Sequence, residues 1–424
     1  MKTKAVIENG FKETEIGLIP EDWEVVNVDK YIQFERGTEP GSENYNKDKK
    51  GVRFLRVVDI SGSRDDKTYT TSKKLKLCKK KDILITFDGS PGIVKQGLEG
   101  AYSSGIRKVV IINKDLFSDY VYYVLQTIYV QRTIEKYTTG VTIKHSSKAI
   151  LHIKIPFFSI QEQQKIAFVL SKVQQSIEQQ DKIIQITKGL KKSLLNKLFT
   201  EGLHSEEQKK TEIGMMPKSW GVTSIGEIAP FQGGFAFKSQ EYHKTGVRLF
   251  KIANVSFGKV IWEDISFLPE EYLTEYDEYI LSESDIVMAM TRPIVSGGIK
   301  VTKLSKADCP CLLNQRVGRF QPATMINPDF LYQFLFTENF VNHILYGAGG
   351  SQQPNISANK IEECLIPLPT LPEQKEIADI LSNIDKKIQQ AESRKQTLQT
   401  LFKTMLNQLM TGKVRVKDLD FEVN

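Results

Sequence analysis

Two short segments contain residue types that catalytic centres use. The N-P-D-F segment at 327–330 differs from the N-P-P-Y motif of adenine methyltransferases because it lacks the second proline. We instead predict a helix N-cap at Asn327 with Pro328 in the first turn. The E-Q-K segment at 373–375 has the residue types of a metal-dependent nuclease, but it begins a heptad pattern far from any partner carboxylate. Neither segment predicts catalysis.

Histidines and cysteines, the other candidates for metal or nucleophile chemistry, form no ligand spacing or triad. They are His145, His152, His204, His243 and His343, and Cys78, Cys309, Cys311 and Cys364. The sequence has no CxxC pair, no GxxxxGK phosphate loop and no Gly-rich cofactor loop after a strand. We therefore expect reduced thiols, no catalytic residue, no metal site and no cofactor on this chain.

The composition is that of a globular protein with a mild basic excess. Of 424 residues, 58 are Lys or Arg and 51 are Asp or Glu, which gives a net charge of +7. This balance permits a polyanionic partner such as DNA without specifying one. The N-terminal segment lacks an apolar core, and no apolar run is long enough to span a membrane. We expect a cytoplasmic protein with no membrane partner.

The chain repeats itself. T-E-I-G-L-I-P-E-D-W at 14–23 returns as T-E-I-G-M-M-P-K-S-W at 211–220, an offset of 197 residues. A second set of matches, beginning with Pro156 and Pro367, has an offset of 211. The difference of 14 residues must lie inside the second globular part, between Trp220 and Pro367. Internal repetition on this scale indicates a tandem of two similar domains.

Each half begins with a globular part whose pattern predicts an α/β fold. Apolar, β-branched runs predict strands, and Gly and Pro punctuate the loops between them. The predicted strands are 52–60, 83–87, 107–112, 247–255, 285–290 and 315–320, and short helices are predicted at 118–136 and 328–345.

Each globular part is followed by a long amphipathic segment. In 372–410 apolar residues recur at alternating steps of four and three from Ile377 to Leu409, interrupted only by Lys395. Segment 161–200 follows the same pattern less strictly, and its apolar register shifts near Gly189 to Leu190. At about 1.5 Å per residue each helix is roughly 60 Å long. Connectivity predicts an antiparallel coiled coil with a globular part at each end, related by a pseudo-two-fold axis. A coiled coil used only for homodimerisation is the alternative.

The motifs together resemble the specificity subunit of type I restriction–modification systems. The resemblance rests on the two T-E-I-G segments, I-P-L-P-T-L-P-E-Q-K-E-I-A-D-I-L at 366–381, L-L-N-K-L-F-T-E-G at 194–202 and L-N-Q-L-M-T-G-K-V-R-V at 406–416. It covers essentially the whole chain, and its order of motifs is specific. The implied domains are a first target-recognition domain at 1–156, a first spacer helix at 157–204, a second recognition domain at 205–367, and a second spacer helix with the C-terminal tail at 368–424.

This resemblance implies a non-catalytic DNA-recognition protein. Each globular part would read one half of a split, asymmetric target in double-stranded DNA. The helices would set the spacer and dock two modification subunits, which bind S-adenosylmethionine and methylate adenine. Restriction subunits would add ATP- and Mg²⁺-dependent translocation and cleavage.

Candidate DNA contacts follow from the chemistry of readout, in which Arg suits guanine, Asn and Gln suit adenine, and Lys and Arg suit phosphate. Loops that carry such residues at corresponding positions of both halves are the candidates. In the first half they are Arg53, Arg56, Ser90, Arg107, Lys108, Thr142 and Lys144. In the second half they are Arg248, Lys251, Thr291, Arg292, Gln315, Arg316, Gln352, Gln353 and Asn355. In this assignment the turn at 105–108 corresponds to residues 314–316.

Two other classes of function remain open at this point. The chain could be a single-chain nuclease or methyltransferase with an unrecognised active site, which would turn over DNA without added subunits. It could also be a coiled-coil scaffold that binds protein or glycan, which would show no DNA binding even beside modification subunits.

Overall fold

A computed structural model describes residues 10–62, 67–295, 298–347 and 355–417. The chain divides into two compact units, which are discontinuous in sequence. The first unit contains Met1–Asp181 and Ser393–Asn424, and the second contains Lys182–Glu392. Each unit therefore combines one globular part with one half of each long helix.

The first unit contains fifteen strands and four α-helices within the described residues, the fourth helix continuing into the second unit. The strands are β1 (Phe11–Thr14), β2 (Gly17–Pro20), β3 (Glu24–Asn27), β4 (Ile32–Arg36), β5 (Tyr45–Asn46), β6 (Val52–Leu55), β7 (Thr68–Thr70), β8 (Leu77–Cys78), β9 (Ile83–Thr86), β10 (Asp88–Gly89), β11 (Val94–Lys95), β12 (Gly100–Tyr102), β13 (Ile106–Ile111), β14 (Lys144–His145) and β15 (Lys154–Phe157). The helices are α1 (Val57–Ser61), α2 (Ser118–Val124), α3 (Ile128–Lys136) and α4 (Ile160–Glu201).

The second unit contains fourteen strands and six α-helices within the described residues, the last helix continuing into the first unit. The strands are β16 (Gln208–Thr211), β17 (Gly214–Pro217), β18 (Gly221–Ser224), β19 (Phe231–Gly233), β20 (Val247–Phe250), β21 (Ser266–Leu268), β22 (Ile280–Leu281), β23 (Ile286–Ala289), β24 (Ile294–Val295), β25 (Gly298–Ile299), β26 (Val301–Lys303), β27 (Cys311–Leu313), β28 (Val317–Phe320) and β29 (Leu365–Leu368). The helices are α5 (Ile225–Ile228), α6 (Tyr272–Glu275), α7 (Pro328–Phe334), α8 (Glu338–Gly347), α9 (Ala358–Glu362) and α10 (Leu371–Met410).

Each unit contains its own pair of larger sheets, and the two pairs have equivalent strand orders, except that the described residues of the second unit contain no strand equivalent to β5. In the first unit an antiparallel sheet has the order β11-β9-β13-β4, and a second sheet has the order β5-β7-β6-β12-β8 with β6 and β12 parallel. The second unit repeats these with β19-β28-β23-β26 and β21-β20-β27-β22, in which β20 and β27 are parallel. Helices pack beside the sheets, so the predicted pair of mixed α/β domains in tandem is confirmed.

The strands predicted at 52–60 and 247–255 are too long. β6 ends at Leu55, and α1 begins at Val57. In the second unit β20 ends at Phe250, and a 3₁₀ turn follows at Ile252–Asn254. The Asp59 carboxylate accepts a hydrogen bond from the backbone N–H of Arg56 at 2.9 Å. This local cap starts a helix that the apolar pattern alone did not reveal.

The helical segment predicted at each of 118–136 and 328–345 is in fact two helices. The helical conformation is interrupted at Thr127 and Thr337, two buried threonines at corresponding positions of the two units. The Thr127 hydroxyl donates to the carbonyl of Val124 at 2.6 Å, and the Thr337 hydroxyl donates to the carbonyl of Phe334 at 2.7 Å. These bonds satisfy carbonyls at the end of the preceding helix, so the turn is stabilised from within.

The two long helices pack antiparallel within each unit. In the first unit Lys395 pairs with Asp181 at 2.5 Å, and Arg415, beyond the end of α10, pairs with Glu162 at 2.7 Å. In the second unit Lys188 pairs with Glu392 at 2.6 Å, and the Leu203 N–H, beyond the end of α4, points to Glu373 at 3.4 Å. Positions rise along one helix as they fall along the other, so the predicted antiparallel pairing is confirmed.

The predicted register shift near Gly189 is wrong. Leu190 is 52% exposed, whereas Ile184, Leu195 and Leu198 are buried. The seam therefore keeps its heptad spacing and passes through Lys191, whose side chain is only 18% exposed and pairs with Asp385 at 2.7 Å. The reason is that a long aliphatic stem can fill a seam position while its charged end reaches a partner.

Each helix pair completes the hydrophobic core of its unit. In the first unit Ile166 and Leu170 of α4 and Leu409 of α10 join the cluster that surrounds Trp23. In the second unit Phe199 of α4 and Leu381 of α10 join the cluster that surrounds Trp220. The ends of the long helices are therefore part of the hydrophobic cores of the two units and do not form a separate structural element.

Candidate nucleic-acid interface

Trp23 and Trp220 hold the start of each long helix against its domain. The Trp23 indole N–H donates to Glu162 at 3.3 Å, and the Trp220 indole N–H donates to Glu373 at 3.0 Å. The next residue, Gln163 or Gln374, accepts a backbone N–H from the segment that precedes α2 or α7, at 2.9 and 2.7 Å. The E-Q segment at 373–374 is therefore structural, as is its counterpart at 162–163.

Asn327 caps α7. Its side-chain oxygen accepts hydrogen bonds from the backbone N–H groups of Asp329 at 2.9 Å and Phe330 at 3.0 Å, and Pro328 occupies the first turn. The N-cap prediction for the N-P-D-F segment is confirmed. Within the part of the chain that the structure describes, no group of three His, Cys, Asp or Glu residues could hold a metal ion. Among the helices of these described residues, none combines the length and the hydrophobicity that a membrane span requires.

Three loops of the first unit meet at one place. The loop after β9 and the loop before β14 pair as two short antiparallel strands, with Asp88 opposite His145 and Gly89 opposite Lys144. The third loop joins β12 to β13, and its Gly105 carbonyl accepts the backbone N–H of Phe87 at 3.0 Å. The three loops that the sequence suggested as separate candidates thus form one surface.

This surface contains a crevice of about 460 Å³. Residues of all three loops line it, together with residues of β4, β5 and α1 and their flanking loops. Its lining residues are Arg36, Glu39, Tyr45, Arg56, Val57, Val58, Asp88, Gly89, Ser103, Ser104, Gly105, Ile143 and His145. A Cβ at Gly105 would lie 2.9 Å from a methyl group of Val57, so glycine lets the β12–β13 loop approach α1.

Asp88 is the central charge of this surface. Its carboxylate lies 2.7 Å from Nδ1 of His145 and 3.6 Å from Nη2 of Arg107. Arg107 is only 5% exposed and also donates to the Ser147 hydroxyl at 3.0 Å. Burial lowers the pKa of the Arg107 guanidinium, and the Asp88 carboxylate acts in the opposite direction. Arg107 thus organises the loops from beneath.

Three other basic candidates of the first unit are engaged with acidic side chains. Arg53 lies 3.4 Å and Arg56 lies 3.9 Å from Asp59. Lys108 pairs with Glu35 at 2.9 Å. Ser90, Thr142 and Lys144 are exposed. Of these candidates, the structure therefore brings Arg56, Arg107 and Lys144 to the crevice or directly beside it, with Arg107 buried.

The second unit repeats the junction of loops with different side chains. Thr291 forms an antiparallel bridge with Asn355, as Asp88 does with His145. The Met290 N–H donates to the carbonyl of Arg316 at 2.9 Å, and the Ile356 N–H donates to the carbonyl of Met290 at 2.9 Å. Arg292, Gln315, Arg316 and Asn355 are all exposed, and Arg292 has a positive φ of 47°.

Two basic candidates of the second unit are held within the protein. Arg248 donates to the carbonyl of Ala307 at 2.8 Å and stacks on Trp262 at 4.7 Å. Lys251 pairs with Asp264 at 2.9 Å. Gln352 and Gln353 lie outside the described residues.

Strand register corrects one of the sequence-based correspondences. Ile106 pairs with Thr86, and Val317 pairs with Ala289, at the same position of the equivalent strands β9 and β23. Residues 314–316 therefore correspond to 103–105, not to 105–108. The sequence match aligned basic side chains, whereas the register is set by Ile106 and Val317, which are both fully buried.

His145 is a residue of this surface that sequence reasoning did not include among the candidates. It follows the Gly-containing loop directly, but it has no sequence neighbour with which it forms a motif. Its partner Asp88 is 57 positions away. The bridge between Thr291 and Asn355 shows that His145 occupies the position that Asn355 has in the second unit. Asn355 is one of the DNA contacts predicted from the sequence.

A family comparison identifies the class of protein. The sequence profile of the type I restriction modification DNA specificity domain matches residues 20–188 and again residues 217–400. The two matches coincide with the two repeats and cover most of the chain. The protein belongs to this family of DNA specificity domains.

The chain is also similar to individual members of this family and to a solved structure. The chain is 36% identical over 418 residues to the type I restriction enzyme MjaVIII specificity subunit of Methanocaldococcus jannaschii, covering 98% of each chain. It is 37% identical over 204 residues to the type I restriction enzyme EcoAI specificity subunit of Escherichia coli, covering 48% of this chain and 33% of that one. Its fold is similar to that of a type I restriction–modification S subunit from M. genitalium, with a TM-score of 0.59, 18% identity and 97% and 99% of the two chains covered.

Proposed function

We propose that the chain is the DNA-specificity subunit of a type I restriction–modification complex and that each unit reads one half of a bipartite, asymmetric target. One observation carries this proposal. The same junction of loops recurs in both units with different polar side chains, Asp88 and His145 in one and Thr291 and Asn355 in the other. A common backbone frame with unlike polar groups is what two readers of different base sequences need.

The exposed candidates around each junction supply two kinds of contact. Lys144 and Arg316 suit phosphate or guanine, and Asn355 suits adenine. The candidates that pair within the protein, such as Arg107 and Lys108, support the loops. Contacts to phosphate would set register and most of the affinity, and contacts to base edges would set the sequence.

The helices would serve as the spacer and as the docking element for partner subunits. We infer two modification subunits, which supply S-adenosylmethionine and the methylating centre, and restriction subunits, which supply ATP- and Mg²⁺-dependent translocation and cleavage. This chain itself would bind no cofactor and would act in the cytoplasm. The relative that matches over 98% of both chains is itself named a specificity subunit, which supports assembly with other subunits of such a complex.

Mapping of modified bases tests the proposal. The chain is co-expressed with its modification subunits, and modified adenines are located across the host genome. The expected motif has two defined halves separated by a fixed number of unread base pairs. A matched strain that lacks only this chain should show no such modification. Unchanged modification without this chain, or a single continuous motif, would contradict the proposal, as would methylation by the isolated chain.

A further inference from the structure

We propose that His145, oriented by Asp88, reads an exocyclic amino group of a base in the half-site bound by the first unit. This inference rests on the proposed function and names one specificity-determining contact within it. The contact partner is the 6-amino group of an adenine or the 4-amino group of a cytosine, the two hydrogen-bond donors that bases present in the major groove.

The imidazole of His145 is both exposed and held in position. Its side chain is 59% exposed, and Nδ1 lies 2.7 Å from Oδ1 of Asp88. The backbones of the same two residues pair in an antiparallel bridge, and the Asp88 side chain is only 15% exposed. Arg107, which is buried beneath, holds the other carboxylate oxygen at 3.6 Å. Backbone and side chain thus fix the ring together.

This geometry determines which ring nitrogen carries the proton. An ionised carboxylate only accepts hydrogen bonds, so Nδ1 of His145 must donate to Asp88. In the neutral ring, Nε2 then carries the lone pair and accepts a hydrogen bond. His145 lines the crevice between these loops, and an acceptor placed there matches an amino group of a base. It does not match the acceptor atoms N7 and O6 of guanine.

The second unit differs at the same position. Asn355 bridges Thr291, so no carboxylate stands opposite it on the bridge. An amide donates and accepts at once, which suits the paired N6 and N7 atoms of adenine. The two units would therefore favour different hydrogen-bonding groups on the base at this position, as an asymmetric target requires.

A double-mutant cycle between protein and DNA tests the contact. The complex with modification subunits is assembled with wild-type chain, and its motif is mapped first. Binding is then measured in mildly alkaline buffer on duplexes that lack one amino group at a time in the first half-site, with purine replacing adenine or 2-pyrimidinone replacing cytosine. We expect one such duplex to bind wild-type complex roughly 5- to 100-fold more weakly.

His145→Ala should bind the natural duplex more weakly by a similar factor and should be insensitive to removal of that one amino group. Asp88→Asn keeps a side chain of the same shape but no longer fixes the proton on Nδ1 of His145, so the ring can adopt the tautomer with the proton on Nε2. The sensitivity of binding to removal of that amino group should therefore fall. His204→Ala, which removes an exposed imidazole outside the loops of both junctions, is the matched control and should keep full sensitivity in the first half-site. Unfolding profiles and assembly with the modification subunits verify that each variant is folded.

Additive effects of His145→Ala and every amino-group deletion would overturn the inference, as would a His145→Ala complex that binds the natural duplex normally. Either result leaves a bipartite motif in place, so the proposed function would stand. Absence of any bipartite motif with wild-type chain would overturn the proposed function and the inference with it.

Discussion

At the residue scale, the two indole–carboxylate pairs connect the repeated segments to one another. Trp23 and Trp220 come from the T-E-I-G repeats, and Glu162 and Glu373 begin the long helices. In the first unit Arg415 adds a bidentate pair with Asp22 at 2.8 Å and stacks on Trp23 at 5.3 Å. Sequence repetition here reflects one buried hydrogen bond that must be made in each unit.

Replacing Glu373 by Ala should destabilise the second unit. The change leaves the buried indole N–H of Trp220 without its acceptor, and such a loss costs about 1–3 kcal/mol. Glu376→Ala, at an exposed position one turn along the same helix, is the control and should have little effect. Chemical denaturation monitored by tryptophan fluorescence measures the difference. Equal effects of the two substitutions would contradict this role for Glu373.

Glu35 makes the first unit sensitive to acid. It accepts hydrogen bonds from Lys76 at 2.7 Å and Lys108 at 2.9 Å, and these lower the pKa of its carboxyl from 4.5 to about 2. A pKa that is lower in the folded state gives stability that is present above the unfolded value of 4.5. That stability is lost as pH falls toward 2.

Glu35→Gln should therefore lower the melting temperature near neutral pH, and the difference from wild type should shrink as pH falls from 4.5 toward 2. Thermal melts across this range measure it. Glu24→Gln removes a negative charge from an exposed position on β3 and serves as the control. A difference that persists or grows in acid would show that Glu35 stabilises the fold in another way.

At the element scale, the long helices are continuous heptads in which a lysine takes a seam position in each. Lys191 pairs with Asp385, which also accepts a hydrogen bond from Gln333 at 2.9 Å. Lys395 pairs with Asp181. A charged residue in an apolar seam lowers stability but favours the one register in which its partner is present.

Opposite effects are expected for the two members of the Lys191–Asp385 pair. Asp385→Ala leaves a half-buried lysine without its carboxylate and should lower the unfolding free energy by about 1 kcal/mol or more. Lys191→Leu places an apolar side chain in the seam and should keep or raise it. Lys188→Ala, at an exposed pair on the same helix, should change little. Denaturant titration measures all three, and a large loss for Lys191→Leu would contradict the account.

The elements also show what sequence patterns can and cannot predict. The heptads, the tandem repeat and the N-cap at Asn327 follow from local rules and were predictable. The helix after Arg56 depends on a hydrogen bond to Asp59, and the unbroken heptad register at Lys191 depends on the ion pair with Asp385. A pattern of apolar residues alone does not reveal either polar partner. The junction of Asp88 with His145 depends on strand pairing over a separation of 57 positions, so only the topology could place His145 in this surface.

At the scale of the whole molecule, both long helices begin in one unit and end in the other. With such a link, the length of the helices would determine the number of unread base pairs between the two half-sites. The half-sites themselves would depend only on the loops of each unit. Spacer and sequence would then be independent features of the target.

Adding one helical turn to both helices, between Asp181 and Lys182 and between Glu392 and Ser393, should lengthen the spacer and leave both half-sites unchanged. One turn adds about 5.4 Å, which is between one and two base pairs at roughly 3.4 Å each. Mapping of modified adenines measures the spacer. Insertion into α4 alone disturbs the helix pairing and is the control. A lengthened pair that modifies the original spacing would contradict the proposed role of the helices.

Exchange of one domain tests most directly whether the two units read DNA independently. Residues 14–155 are replaced by the corresponding segment of another family member with a known target, and the modified motif is mapped beside that of the unaltered chain. We predict that one half of the motif changes to that of the donor, while the other half and the spacer stay as they were. A change in both halves, or in neither, with a complex that still assembles and modifies DNA, would contradict this account.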